Sequence, residues 1–278
     1  MWVDVEGGRL YVESTGSGTP LLLVHGWPLD HRVFEPQVRE LAERHQVVAF
    51  DRRGFGISQA RPDLGLERAD IARIIDALSL GPVHLLGMSQ GARIALRFAL
   101  TRRQLIRSLL LQGPAVDGFE AHEAPGERIP IEEYARLARA GRLDEIRRRW
   151  AAHPMMVLDD AAGDARKLLE DIMQDYRAVD LLAPPAAAAL PLLDEARAFR
   201  LPCLLLTGAH ETAARRTHAQ KLLELMPNCR QVTLERSGHL SNLSEPVAYN
   251  RHVLEFCARA DAESSAPGNE RGRTSPSD

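Results

Sequence analysis

The chain has 278 residues, of which 45% are hydrophobic and 26% are charged, and its formal net charge is −3. This length allows one large core with an insertion, and the charge balance argues against a polyanionic partner such as nucleic acid. No apolar run reaches the roughly 18 residues of a transmembrane helix, and residues 1–6 lack the features of a signal peptide. We expect a soluble, cytoplasmic monomer or homodimer with no membrane partner.

The first part of the chain alternates strand-like and helix-like segments. Two alternating segments around Gly7-Gly8 predict an antiparallel hairpin. A continuous apolar run predicts a buried strand at 21–24, and further strands are predicted at 46–50, 83–86 and 106–111. Helical spacing lies between them, at 33–43, at 66–78 and after residue 92. This alternation is typical of a mostly parallel sheet with helices on both faces, whose sites lie at the carboxyl ends of the strands.

The pattern changes to helical periods over residues 114–200, with no strand-like run. We interpret this segment as a helical cap inserted into one core, which comprises residues 1–113 and 201–260. Strands resume at 203–207 and 231–234, and a closing helix is predicted over 246–260. Residues 261–278 are rich in Ser, Pro, Gly and charge, which predicts a disordered tail.

The most informative motif is Gly-Met-Ser-Gln-Gly at positions 87–91, between a predicted strand and a predicted helix. In this setting G-x-S-x-G forms a tight, strained turn that holds the serine hydroxyl clear of the sheet. The glycines are required because a β-carbon at either position would collide with the facing backbone. Ser89 is therefore the candidate nucleophile, and the backbone N–H of Gln90 is a candidate oxyanion donor.

A serine hydroxyl attacks efficiently only when a base takes its proton, and that base needs an anionic partner. His239 follows the last predicted strand, and Glu211 follows the strand before it. Both residues lie on loops and give the chain order serine, acid, histidine, which is the order expected with this type of turn. We predict a catalytic triad of Ser89, His239 and Glu211.

These motifs together resemble the α/β-hydrolase superfamily over about residues 1–260. The matching segments are His-Gly-Trp-Pro at 25–28, Asp-Arg-Arg-Gly-Phe-Gly-Ile-Ser at 51–58, the motif at 87–91, Gly-Ala-His-Glu at 208–211 and Gly-His at 238–239. The resemblance implies an α/β-hydrolase fold, with a mostly parallel eight-stranded sheet, helices on both faces and an inserted helical cap.

The resemblance also implies roles for individual residues. The loop at 25–28 would supply the second oxyanion donor, the backbone N–H of Trp27, and His25 would brace that loop. The acid of the family is usually Asp, so Glu211 departs from the pattern by one methylene group. Asp117, in the loop after the strand that ends near Gln112, is the alternative acid, because some members place the carboxylate there.

The motifs resemble two branches of the superfamily. Gly-His-Leu-Ser-Asn-Leu at 238–243 is similar to 3-oxoadipate enol-lactone hydrolases and small esterases, whereas 25–28 with 51–54 is similar to cofactor-free haloperoxidases or perhydrolases. Dehalogenase-like and epoxide hydrolase-like relatives carry Asp where Ser89 stands, which argues against those reactions. We predict a serine hydrolase that cleaves a small to medium carboxylic ester or lactone through an acyl-enzyme. The alternatives are a C–C bond hydrolase, a perhydrolase or haloperoxidase-like enzyme, and a non-catalytic ligand sensor.

Neither a cofactor nor a metal is expected. Gly-Phe-Gly at 54–56 lacks the third glycine and the helix of a dinucleotide-binding motif. His25, His84 and His210 do not share a ligand-like spacing on one helix. Asp51 is interpreted as a structural acid that fixes the turn after its strand.

Overall fold

The computed structural model describes residues 1–159, 162–184 and 191–265. Within them, one sheet of eight strands has the order β1-β2-β4-β3-β5-β6-β7-β8. The strands are β1 (Trp2–Val5), β2 (Gly8–Thr15), β3 (Thr19–Val24), β4 (His45–Phe50), β5 (Val83–Met88), β6 (Ile106–Gln112), β7 (Cys203–Gly208) and β8 (Cys229–Leu234). The pairs β1/β2 and β2/β4 are antiparallel, and every other pair is parallel.

Helices cover both faces of the sheet. The α-helices in the described ranges are α1 (Glu35–Leu41), α2 (Glu67–Ala77), α3 (Gln90–Thr101), α4 (Ile131–Arg139), α5 (Leu143–Ala151), α6 (Gly163–Asp175), α7 (Leu193–Arg197), α8 (Ala213–Leu225), α9 (Ser241–Ser244) and α10 (Pro246–Ser265). Short 3-10 helices lie at His31–Phe34, Arg103–Leu105, Pro154–Met156 and Val179–Leu182. The predicted α/β-hydrolase fold class is confirmed. None of the described helices combines the length and the apolar character needed to cross a bilayer.

Successive residues of the central strands contribute to opposite cores. In β3, Leu21 and Leu23 join one buried cluster with residues of α1, α10 and the cap, whereas Leu22 and Val24 join another with residues of α2, α3 and α8. The alternation follows from the pleat, which points neighbouring side chains to opposite faces. Because both faces are covered, both sets must be apolar, and this explains the continuous apolar runs in the sequence.

Between β6 and β7, the described residues form four α-helices and no strand. Trp150 of α5 is buried and belongs to the same core cluster as Leu21, and it also lines the cavity described below. Trp150 therefore takes part both in the packing of the core and in the wall of the cavity. It lies in the segment 114–200, which the sequence predicts to be a helical cap.

The hairpin turn and the end of the last helix differ from the prediction. Val5 pairs with Gly8, so the hairpin turn is Glu6-Gly7 rather than Gly7-Gly8, and Gly7 takes the positive φ of 77°. The last helix continues to Ser265, five residues past the predicted end. Asp261 accepts a hydrogen bond from Thr19 (3.0 Å) and pairs with Arg107 (3.2 Å), which anchors the additional turn to the core. The rest of the predicted disordered tail, residues 266–278, lies outside the described residues.

Candidate active site

Ser89 occupies a strained turn between β5 and α3. Its backbone has φ 55° and ψ −117°, in a region that is costly for a residue with a side chain. The flanking glycines allow this close packing. A β-carbon on Gly87 would lie 2.5 Å from the Gly91 carbonyl oxygen, and one on Gly91 would lie 2.2 Å from the Val24 carbonyl oxygen. The side chain of Ser89 is thereby held in the wall of a cavity.

His239 and Glu211 form a buried pair on the loops after β8 and β7. The distance from His239 Nδ1 to Glu211 Oε2 is 2.7 Å. The other carboxylate oxygen of Glu211 accepts a hydrogen bond from the backbone N–H of Thr212 at 2.7 Å. Burial opposes the charged form of Glu211, but His239 and the Thr212 amide outweigh it and hold the pKa of Glu211 below its usual value. Glu211 is therefore a fixed carboxylate that orients the imidazole.

The second ring nitrogen of His239 is unengaged. Nε2 is buried and has no hydrogen-bond partner in the described part of the chain. Since a buried polar atom without a partner is costly, such atoms concentrate at functional sites. With Nδ1 bonded to the carboxylate, Nε2 is the nitrogen that can accept a proton.

Asp117, the alternative acid, has other partners. Arg93 and Arg97 of α3 both bond its carboxylate, and the Arg93 Nε distance is 2.6 Å. Although burial opposes it, these two guanidinium groups lower the pKa of Asp117. The structure brings Glu211, and not Asp117, into contact with His239.

Gln112, the last residue of β6, connects the serine turn to the histidine loop. Its carbonyl oxygen accepts a hydrogen bond from the Ser89 N–H at 2.8 Å. Its side-chain Nε2 donates to the His239 carbonyl oxygen at 2.8 Å and to Asn242 Oδ1 at 2.9 Å. The sequence pattern does not identify Gln112 as a residue of the site. The only signal was a polar residue at the end of an apolar strand, followed by Gly113, where a β-carbon would lie 2.5 Å from His239 Cε1.

The two predicted oxyanion donors lie on either side of the serine turn. A β-carbon on Gly26 would lie 3.0 Å from the β-carbon of Ser89, so the loop that carries Trp27 packs directly against the turn. Gln90 is the first residue of α3. Within the described ranges, neither the Trp27 nor the Gln90 backbone N–H donates a hydrogen bond to the protein. Both amides are available to a developing negative charge.

Two buried side chains brace these donors. His25 Nε2 accepts from the Arg52 N–H at 3.0 Å, and burial together with the Arg52 charge lowers the pKa of His25 to about 3. Arg52 in turn donates to the His25 carbonyl oxygen at 3.2 Å and to Gln90 Oε1 at 2.6 Å, and it pairs with Glu67 at 2.9 Å. A neutral histidine and a charge-paired arginine therefore fix the backbone on both sides of Ser89.

A cavity of about 1040 Å³ lies between the serine turn and the segment that connects β6 to β7, and Ser89 is in its wall. Aromatic rings pack on one side, where the Trp27 and Trp150 ring centres are 4.7 Å apart. Asp180 links the segment between β6 and β7 to the loop at 25–28, because it accepts hydrogen bonds from Trp27 Nε1 at 2.7 Å and from the Tyr176 hydroxyl at 2.8 Å. The cavity has the size of a small-molecule site.

One cluster has the composition of a metal site. Ligand atoms of Asp30, His31 and Asp51 lie within 4.8 Å of one another. Asp51 bonds the His31 ring at 2.6 Å and accepts from the Ile57 N–H at 2.8 Å, while Asp30 pairs with Arg32 at 2.6 Å. These contacts explain the cluster as a structural network, and we assign no metal to it.

Comparison with known proteins adds the reaction class of the relatives. A model described as the alpha/beta hydrolase family matches residues 21–252. The chain is 28% identical over 249 residues to a pimeloyl-[acyl-carrier protein] methyl ester esterase of Aeromonas hydrophila, covering 88% of this chain and 98% of that protein.

Solved structures share the fold. An esterase from Exiguobacterium antarcticum superposes with a TM-score of 0.77 at 22% identity, covering 92% of this chain and 98% of that one. The enol-lactonase from Burkholderia xenovorans LB400 superposes with a TM-score of 0.76 at 20% identity, covering 93% of this chain and 100% of that one.

Proposed function

The chain belongs to the alpha/beta hydrolase family, and on that premise we propose that it is a serine hydrolase that cleaves a small to medium carboxylic ester or lactone. The observation that carries this proposal is the buried Glu211–His239 pair, which Gln112 links to the strained turn of Ser89. The similarity to a methyl ester esterase supports the reaction class.

In the proposed mechanism, Ser89 Oγ attacks the substrate carbonyl carbon while His239 Nε2 accepts the hydroxyl proton. The backbone N–H groups of Trp27 and Gln90 bind the oxyanion that forms, and Glu211 stabilises the charged imidazole. The tetrahedral intermediate then collapses, and the leaving alkoxide takes the proton from His239. In a lactone this alcohol stays attached to the acyl chain. A water molecule, deprotonated by His239, releases the acid and regenerates Ser89.

The proposal is tested with p-nitrophenyl acetate and the variant Ser89→Ala. We expect kcat to fall by at least about a thousandfold, because the nucleophile of such a site is lost while the oxyanion donors remain. Ser17→Ala, in the exposed turn between β2 and β3, is the matched control and should retain the wild-type rate. A fluorophosphonate should label wild-type protein at Ser89. Equal rates for wild type and Ser89→Ala would contradict the proposal.

A further inference from the structure

Arg215, in the first turn of α8, is a half-buried residue that lines the same cavity as Ser89. Among the residues that the structure describes, it makes no hydrogen bond and no ion pair through its side chain. Its nearest charged groups act on it only through space: Glu211 and Glu123 favour its charge, and Arg93 opposes it. The environment of Arg215 differs from that of Arg52, which is buried and forms an ion pair with Glu67.

The carboxylates around Arg215 are committed to other partners. Glu211 bonds His239 and the Thr212 amide. Asp117 is shared by Arg93 and Arg97, so this cluster already has more positive than negative charge. Glu123 is exposed and lies beyond ion-pair distance of Arg215. Within residues 1–159, 162–184 and 191–265, no carboxylate therefore serves as the counter-ion of Arg215.

A cation that is partly withdrawn from water and has no counter-ion is unfavourable, because the loss of hydration is not compensated by a partner. The guanidinium nevertheless stays protonated in proteins and presents a planar set of donors that fits a carboxylate with two parallel hydrogen bonds. Arg93, one turn after Ser89 on α3, adds a second guanidinium to the wall of the same cavity. The positive side of the cavity thus lies next to the nucleophile.

We propose that Arg215 binds a carboxylate of the substrate, so that the preferred substrate is an ester or lactone that carries one further negative charge. The planar donor set of the Arg215 guanidinium fits a carboxylate with two parallel hydrogen bonds. The cavity of about 1040 Å³ has room for a reacting ester at Ser89 and a second polar group at Arg215. This inference rests on the proposed function.

The test compares two esters with the same acyl chain length, monomethyl adipate and methyl hexanoate, which differ by a terminal carboxylate. Wild type should have the higher kcat/KM for monomethyl adipate. In Arg215→Gln, the ratio of the two kcat/KM values should fall by between about tenfold and about a hundredfold, mainly through KM, because a charged hydrogen-bonded pair is lost. Arg215→Lys should retain part of the preference, since the charge remains but the planar donor set is lost.

Lys221→Gln is the matched control. It removes one positive charge from the same helix, but Lys221 pairs with Glu224 and is not part of the cavity wall around Ser89. Its ratio should equal that of wild type. Arg215→Gln should also unfold at a temperature no lower than wild type, because the arginine has no partner within the described protein to lose. If kcat/KM of Arg215→Gln fell equally for both esters and its pH profile shifted, the proposal would be overturned. Arg215 would then be a positioning residue for Glu211.

Binding to Ser89→Ala separates recognition from turnover. Monomethyl adipate should bind to this variant at least about tenfold more tightly than to the double variant Ser89→Ala/Arg215→Gln in calorimetry. That difference without any hydrolysis by wild type would uphold the carboxylate site and contradict the proposed serine hydrolase. Hydrolysis of both esters at equal rates that depends on Ser89 would uphold the proposed serine hydrolase and contradict the carboxylate site.

Discussion

Glu211 contacts His239, although the proteins that this chain resembles usually carry the shorter Asp at this position. Its backbone N–H donates to the Gly208 carbonyl oxygen at 3.1 Å, which forms a tight turn directly after β7. The Thr212 N–H holds one carboxylate oxygen, and the other lies 2.7 Å from His239 Nδ1. The additional methylene is thus accommodated by the turn, and both oxygens have partners.

Replacement of the two candidate acids distinguishes their roles. We expect Glu211→Gln to lower kcat by about ten-thousandfold, because an amide at this position favours the wrong imidazole tautomer. Asp117→Asn should cause a much smaller loss, because Asp117 bonds Arg93 and Arg97 rather than His239. The measurement is kcat for p-nitrophenyl acetate with both variants folded. A larger loss in Asp117→Asn than in Glu211→Gln would reverse the assignment of the acid.

Single residues differ in how far the sequence predicts them. Ser89 is marked by its immediate neighbours, because the glycines on either side are a steric requirement of the turn. Gln112 is not marked, since its role depends on a carbonyl group 127 positions away. Arg215 is equally unmarked, because its lack of a side-chain partner among the described residues depends on its surroundings and not on its sequence position.

At the scale of elements, α3 packs so closely on β3 that only glycine fits at the contact. Gly91 lies on α3, and a β-carbon there would be 2.2 Å from the Val24 carbonyl oxygen and 2.4 Å from that of His25. Both are backbone atoms, so neither can move without displacing the central strand β3 or the loop at 25–28. The same contact therefore supports both the fold and the site.

A pair of glycine substitutions tests this packing. We expect Gly91→Ala to lower the free energy of unfolding by about 3 kcal/mol, because the new methyl group overlaps the backbone of β3. Gly163→Ala, at the start of α6, should change it by less than about 0.5 kcal/mol, since nothing lies within 4 Å of its β-carbon position. Urea denaturation measures both values. Equal stability of the two variants would show that the contact at Gly91 is looser than described.

At the scale of the whole molecule, the core holds histidines in the neutral form. Burial, with the Arg52 charge, lowers the pKa of His25 to about 3. Burial lowers the pKa of His84 to about 4, and its Nδ1 lies 2.7 Å from the Ser108 hydroxyl. In the unfolded chain, both imidazoles regain their ordinary pKa of about 6.5. Between the folded and the unfolded pKa values, the unfolded state binds more protons than the folded state. The contribution of these histidines to the free energy of unfolding is therefore complete above about pH 6.5 and is lost as the pH falls.

His84→Gln tests this linkage away from the proposed site. Each such histidine contributes up to about 1.4 kcal/mol of lost stability per pH unit within its window. Wild type should therefore lose more free energy of unfolding between about pH 7 and about pH 5 than the variant does. Urea denaturation at the two pH values gives the difference, and the comparison cancels the contribution of the carboxylates. The same pH dependence in both proteins would mean that folding leaves the pKa of His84 at its ordinary value.

The sequence by itself determined the fold class, the position of the serine turn and the order of serine, acid and histidine. These features depend on short-range sterics and on apolar periodicity, which a few neighbouring residues encode. Only the tertiary structure brought Glu211 rather than Asp117 to His239 and linked Gln112 to both loops. It also placed Arg215 in the cavity wall without a side-chain partner in the described part of the chain. Such relations arise between residues far apart in the chain, and they become defined only when the strands align their carboxyl ends at one edge of the sheet.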